Sequence, residues 1–149
     1  MGMTDTPLLQ ELLAEGRNMQ LCTLRQDGSP HLVTMWFGLL DEQIVTWTQR
    51  RSQKAANLRR DPRLACLLEA GDSYTELRGA SINGSAELVA ERSRLIEIGH
   101  AIMERNFAPD NRPDPVELVS GDNRVGIIVH ATDIATWDFR NKGNDSPKP

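Results

Sequence analysis

The stretch Thr46-Trp47-Thr48-Gln49-Arg50-Arg51-Ser52-Gln53-Lys54 gathers groups that grip an anion. An alternating run that reads as a strand ends in two arginines. A serine then opens a helix, and a lysine falls in its first turn. The first N–H groups of a helix have no internal acceptor, and the aligned peptide dipoles concentrate partial positive charge there. Together they make a phosphate site. Ser52 either caps the helix or donates its hydroxyl to the anion. Lys54 has the wrong sign for a helix start, at a cost of about 0.3–1 kcal/mol, which a bound phosphate more than offsets. Arg50 or Arg51 is placed to clamp the same phosphate through two parallel N–H groups. The residue types leave a second reading open, a solvated basic turn with an ordinary serine cap.

The surrounding sequence supplies the elements that position this segment. Thr6-Pro7 is a helix start, a hydroxyl cap followed by proline at the first helical position. Leu8, Leu9, Leu12 and Leu13 share one face of that helix, which stops at Gly16. Residues 19–25 read as a strand and Asp27-Gly28 as a hairpin turn. Residues 31–40 read as a second strand, apolar throughout, which requires both faces buried or one face against a partner. After a turn at Asp41-Glu42, residues 43–49 form a third strand, with Ile44, Thr46 and Thr48 opposite Val45 and Trp47. A helix over 52–60 ends at Asp61-Pro62, because the residue before proline avoids helical angles. Residues 63–69 form another strand. Residues 74–89 form one long bent strand or two, with Gly79 and Gly84 at bends or bulges. The longest helix covers 91–106, a Pro-rich connection 108–122, and strands 124–130 and 131–139.

This pattern predicts a mainly β chain with flanking helices (α+β), its antiparallel strands closed into a small barrel. Residues 1–140 form a single domain, and the polar residues 141–149 a disordered tail. A barrel this small is filled by its own side chains, so a large ligand must sit outside it, at a subunit interface.

Composition excludes several classes. The net charge of −4 argues against a general nucleic-acid binder, which needs surplus Lys and Arg. No apolar run approaches the ~20 residues that cross a bilayer, and the N-terminus carries acids rather than a basic, apolar leader. The expected compartment is the cytoplasm. Cys22 and Cys66 sit in strands and belong to no ligand cluster, so they read as small core groups, with a disulfide or a reactive thiol as alternatives. His31, His100 and His130 lack metal spacing and read as solvated or core histidines, a haem ligand being the alternative. No metal site is expected. Trp47 reads as core or interface, and Tyr74 as structural or a proton donor. Gly79-Ala80-Ser81-Ile82-Asn83-Gly84 lacks the strand–turn–helix context of a dinucleotide fingerprint.

The order and spacing of these segments resemble the pyridoxamine 5′-phosphate oxidase-like superfamily of flavin and deazaflavin proteins. Trp47-Thr48 followed by Ser52-Gln53-Lys54 is similar to that superfamily's aromatic-Thr strand end and Ser-Arg-Lys helix start. AANLRRDPRLACLLE and YTELRGASINGSAEL resemble the segments that follow, and the likeness runs from about residue 8 to residue 138. Two departures separate the chain from the vitamin-processing oxidases. Gln53 replaces the middle Arg, and the C-terminal Arg-Leu-rich segment is missing, the chain ending in Trp137-Asp138-Phe139-Arg140 and its tail. The chain looks more like the class B branch that uses the deazaflavin coenzyme F420.

That resemblance implies the antiparallel Greek-key split β-barrel form, a homodimer with cofactor sites at its interface and a small-molecule substrate. It implies hydride transfer from reduced F420 to a conjugated acceptor, biliverdin-like or enone-like. An FMN-dependent oxidoreductase of the same fold is the alternative. A non-catalytic protein binding flavin, deazaflavin or tetrapyrrole is another. By position, Thr48, Arg50, Ser52, Gln53 and Lys54 would hold phosphate. Val33, Thr34, Met35 and Trp36 would run beside the ring, although Trp36 also reads as core or interface. Arg59 and Arg60 would meet the acidic tail of the deazaflavin. Arg78 would either pair with Glu76 or another acid or face the cofactor, and Trp137 and Arg140 would reach the site from the partner. The pocket wall would draw on Trp36, Phe37 and the 108–122 connection. No catalytic residue is assigned, since solvent can supply the proton.

Overall fold

A computed structural model describes residues 6–140; residues 141–149, expected to be a disordered tail, lie outside the described residues, as do residues 1–5. Seven antiparallel strands form one sheet: β1 (Asn18–Leu24), β2 (Pro30–Trp36), β3 (Gly38–Leu40), β4 (Gln43–Gln49), β5 (Arg63–Ala70), β6 (Arg78–Val89) and β7 (Arg124–Asp138). Their spatial order is β2-β1-β5-β6-β7-β4-β3. The two outermost strands, β2 and β3, are consecutive in the chain and separated by Phe37 alone. One residue spans only about 3.5 Å, so the sheet must curl until its edges meet. The result is a barrel split between β2 and β3, closed at the seam by a hydrogen bond from Thr46 Oγ1 to the Trp36 carbonyl at 2.8 Å.

Four helices accompany the sheet: α1 (Pro7–Glu15), α2 (Gln53–Arg60), α3 (Arg92–Asn106) and α4 (Pro115–Leu118). The leucine face of α1 packs into the barrel core, where Leu9, Leu12 and Leu13 meet Met19, Leu21, Ile44, Leu68, Ile82 and Ile127. A second apolar layer lies outside the barrel, between α3 and β4. There Val45 and Trp47 pack on Leu95, Ile98, Ile102 and Met103. Gly99 allows α3 this close approach, since a Cβ there would come within 2.7 Å of the Trp47 ring. Strand β4 is therefore buried on both faces.

The structure corrects several expectations. Residues 31–40 are two strands rather than one, because Phe37 turns into the core. Its N–H donates to the Arg17 carbonyl at 3.3 Å, and the Arg105 guanidinium lies 4.5 Å over its ring. Phe37 is thus a core plug rather than a pocket wall. Residues 124–138 are one continuous strand. Gly84 sits at the expected bulge, but Gly79 does not bend the strand; it makes room for Trp137, whose ring lies 2.5 Å from where a Cβ would stand. Gly16 ends α1 in extended rather than left-handed backbone. Cys22 faces Ala65 and Cys66 faces Leu21 across adjacent strands, so the two thiols point to opposite sides of the sheet. Burial pushes the Cys66 thiol up to about 12.

Candidate functional site

The anion-gripping segment lies where β4 runs out and α2 begins. Ser52 caps α2, its Oγ accepting the Ala55 N–H at 3.2 Å. That cap leaves the N–H groups of Gln53 and Lys54 at the open helix end without an i−4 carbonyl. The Thr48 hydroxyl donates to Ser52 Oγ at 3.1 Å, which couples the strand end to the helix start. Ser52 thus takes the capping role, with its free lone pair already engaged by Thr48.

Lys54 is half-buried and has no ion pair or hydrogen bond among the described residues, and desolvation holds its ammonium below the ordinary lysine value. Its electrostatic neighbour is His31, at the start of β2. Burial lowers the His31 imidazole, and the charges of Arg25 and Lys54 lower it further. Cations with no carboxylate between them are costly to assemble without an anion. Beneath them Asn57, fully buried on α2, donates to Thr23 Oγ1 at 3.0 Å and accepts from Gln53 Nε2 at 2.8 Å.

Beside this corner opens a cleft of about 460 Å³. One wall is β2, through Thr34, Met35 and Trp36. Thr48 on β4, Met103 on α3, and Leu118 and Arg124 complete it. Trp36 is 46% exposed and meets Phe107 edge-on at 5.5 Å between centroids. The Arg124 guanidinium covers the Trp47 ring at 4.5 Å. Strand β2 pairs only with β1, so apart from the Trp36 carbonyl held by Thr46 its other edge has no strand partner.

A second cleft, of about 370 Å³, adjoins the first through Arg124 and is lined by Arg50, Arg59, Arg124 and Asp122. Arg50 pairs with Asp122, and Arg59 donates to the Arg50 carbonyl at 3.0 Å.

The structure thus brings Thr34, Met35, Trp36 and Thr48 into one cleft, with Ser52 one hydrogen bond away, Gln53 and Lys54 following it in the first turn of α2, and Arg50 and Arg59 in the adjoining cleft. Val33 instead packs on the barrel core. Arg60 turns from Arg59 and donates to the Leu24 carbonyl. Arg78 pairs with Glu15 at 2.9 Å beside α1. Trp137 sits at the far end of β7, roughly 40 Å of strand path from Val125, the partner of Thr48. Arg140 is held by Glu11 and Asp138. Within one chain these last residues do not reach the cleft. His130 lies between Gln43 and Glu87 on the outer surface, and Tyr74 stacks on Phe139. Among the described residues no group of three metal-ligating side chains occurs, and no helix is long and apolar enough to cross a membrane.

Sequence reading missed His31, Asn57, Met103 and Arg124 as contributors. Their partners are distant in sequence, and only Arg124, a charge opening an apolar strand, carried a local signal.

Comparison with known proteins agrees with this geometry. The chain is 34% identical to the conserved hypothetical protein Rv2991 from Mycobacterium tuberculosis, whose crystal structure superposes with a TM-score of 0.83 over 99% of this chain and 94% of that one. An F420 reductase of solved structure shares the fold at 24% identity and a TM-score of 0.66, over 85% of this chain and 94% of that one. A heme binding protein from Mycobacterium smegmatis shares it at 17% identity and 0.69, over 89% and 54%. No curated protein sequence matches. The family model described as pyridoxamine 5′-phosphate oxidase matches residues 6–138, almost the whole described chain. With that match, the split barrel and the strand-to-helix corner beside its outer cleft, the chain belongs to the pyridoxamine 5′-phosphate oxidase family.

Proposed function

We propose that this protein is an oxidoreductase that holds coenzyme F420 in the cleft between β2 and α3, with its phosphate at the start of α2. The observation that carries this reading is Lys54, a half-buried cation with no counter-charge among the described residues, set in the first turn of a helix whose cap, Ser52, is hydrogen-bonded to Thr48 on the wall of a 460 Å³ cleft. The residues present fit such a group. The open Gln53 and Lys54 N–H groups and the Lys54 ammonium bind phosphate. The edge backbone of β2 orients the ring by hydrogen bonds, while Trp36 and Met103 supply its apolar surround.

When bound and reduced, the deazaflavin supplies hydride to an electrophilic carbon. The protein holds donor and acceptor in contact and excludes water with Trp36, Phe107 and the outer face of α3. Arg59 and Arg124 in the second cleft, beside an Arg50 already paired with Asp122, suit an acidic tail that FMN lacks and so support F420 over FMN.

The reading includes a homodimer and one domain over 1–140. Leu32 and Trp36 leave β2 with an apolar outer face, 66% and 46% exposed, that a second copy would cover. Arg78, Trp137 and Arg140 enter the site only from that partner.

Titration of the purified protein with F420, and separately with FMN, tests the proposal. Micromolar F420 binding that Lys54→Ala abolishes is the expected result. A yellow protein saturating only with FMN replaces the cofactor assignment, and binding of neither overturns it.

A further inference from the structure

The polar cluster beneath the phosphate corner contains a group that the family match and the sequence leave without a role. His31 Nδ1 is buried and has no hydrogen-bond partner among the described residues. The residue lies opposite Thr23 on β1, on the inward side of β2 that also carries Val33 and Met35. Thr23 is tied to Asn57 of α2, and Lys54 precedes Asn57 by one helical turn on the same face. His31 therefore faces the start of α2 from below.

The charged groups around it are Lys54 on α2 and Arg25 in the β1–β2 hairpin, both positive. Arg25 is held against the Pro30 carbonyl at 2.5 Å, and the one carboxylate of that hairpin, Asp27, is taken by Ser29. Among the described residues no carboxylate acts on the imidazole.

We infer that His31 is the switchable member of this anion site, taking up a proton when a phosphate group binds beside Lys54. The inference rests on the reading that α2 receives a cofactor phosphate, and it names how that site is regulated. With the corner empty, a third positive charge beside Lys54 and Arg25 is unfavourable and the ring stays neutral. A bound phosphate reverses the local potential, so the imidazolium becomes the favoured form. The bound proton comes from solvent. Affinity consequently falls as pH rises through the value at which the liganded ring loses its proton.

Calorimetry of F420 binding at pH 7, in buffers of different ionisation enthalpy, tests this. The phosphate diester keeps a constant charge while the ring hydroxyl of F420 titrates near neutrality, so the part of the uptake that belongs to the protein is read as the difference between wild type and His31→Gln. Wild type is expected to take up a fraction of a proton and to bind roughly fivefold more tightly at pH 6 than at pH 8.5. His31→Gln is expected to take up less than wild type and to lose that part of the pH dependence. The NMR titration of the His31 ring in wild type reports the same event without a variant, its midpoint moving up on saturation. Binding without proton uptake, or with equal uptake in His31→Gln, overturns the role of His31 and leaves the cofactor assignment standing. Absence of F420 and FMN binding overturns both.

Discussion

Asn57 Nδ2 donates to Thr23 Oγ1 at 3.0 Å, and both side chains are shut away from solvent. This contact ties α2 to the barrel directly beneath the open end of the helix. A buried amide that loses its acceptor keeps its full desolvation cost. Thr23→Val is therefore predicted to lower stability by about 1–3 kcal/mol, read from urea unfolding, and to weaken phosphate-ligand binding through the displaced helix start. A variant as stable as wild type contradicts this.

Lys54 should cost the protein stability in exchange for its proposed role. Desolvation lowers the folded-state value of its ammonium below 10.5. The penalty is then present at neutral pH, while the lysine is charged, and is relieved as pH rises towards the unfolded value. Lys54→Met is predicted to melt at or above the wild-type temperature at pH 7 while losing ligand binding. Scans at increasing pH should close the gap. A marked fall in Tm at pH 7 would show that the side chain has a structural partner instead.

The β3–β4 hairpin carries strain. Both turn residues, Asp41 and Glu42, have positive φ, at 52° and 63°. A two-residue hairpin of this kind demands that backbone and favours Asn-Gly. Asp41 faces Arg94 at 3.4 Å, whereas Glu42 is exposed, so Glu42→Gly is the substitution to make. Relief of the left-handed strain, reduced by the extra freedom of glycine in the unfolded chain, predicts a gain of about 0.5–1 kcal/mol. Thermal melting checks it, and any loss of stability refutes it.

Arg140 forks onto two carboxylates, Glu11 at 2.6 and 2.8 Å and Asp138 at 2.8 and 3.0 Å. Hydrogen bonding to the guanidinium holds Asp138 down at about 2 and lowers Glu11. Carboxylates lowered in the folded state stabilise it above their ordinary range and lose that effect as pH falls through the folded value. Arg140→Gln should melt below wild type at pH 7, and the difference should shrink between about pH 4 and pH 2. A gap that persists unchanged at pH 2 would mean the arginine acts by packing alone.

Local chemistry made much of this legible in advance. Thr6-Pro7 and Ser52 announced two helix starts by their caps, and alternation along residues 43–49 sorted the two faces of β4. The break at Phe37 was hidden because a run as apolar as HLVTMWFGLL has no punctuation before its glycine. Burial in the core, not local preference, ends β2 there. At the site, Ser52 and Lys54 stood out because a cap and a misplaced charge are sequence-local. The Thr23–Asn57 bond spans 34 residues, and the proximity of His31 to Lys54 depends on that docking, so neither left a pattern to read. Arg59 and Arg60 look equivalent in sequence, but successive helix positions point about 100° apart, and only Arg59 reaches the second cleft.

Phe37 acts as a clasp. A single residue bridging the two margins of a closed wall leaves no slack, so the lumen cannot dilate to admit a guest without breaking the clasp. Diversity in what such proteins hold must arise on the exterior, from side chains along the rim and from whichever neighbour leans against it. Lengthening the chain by even one residue between Trp36 and Gly38 would let the margins part, and would be the most direct way to learn whether closure of the wall sets the shape of the cleft outside it.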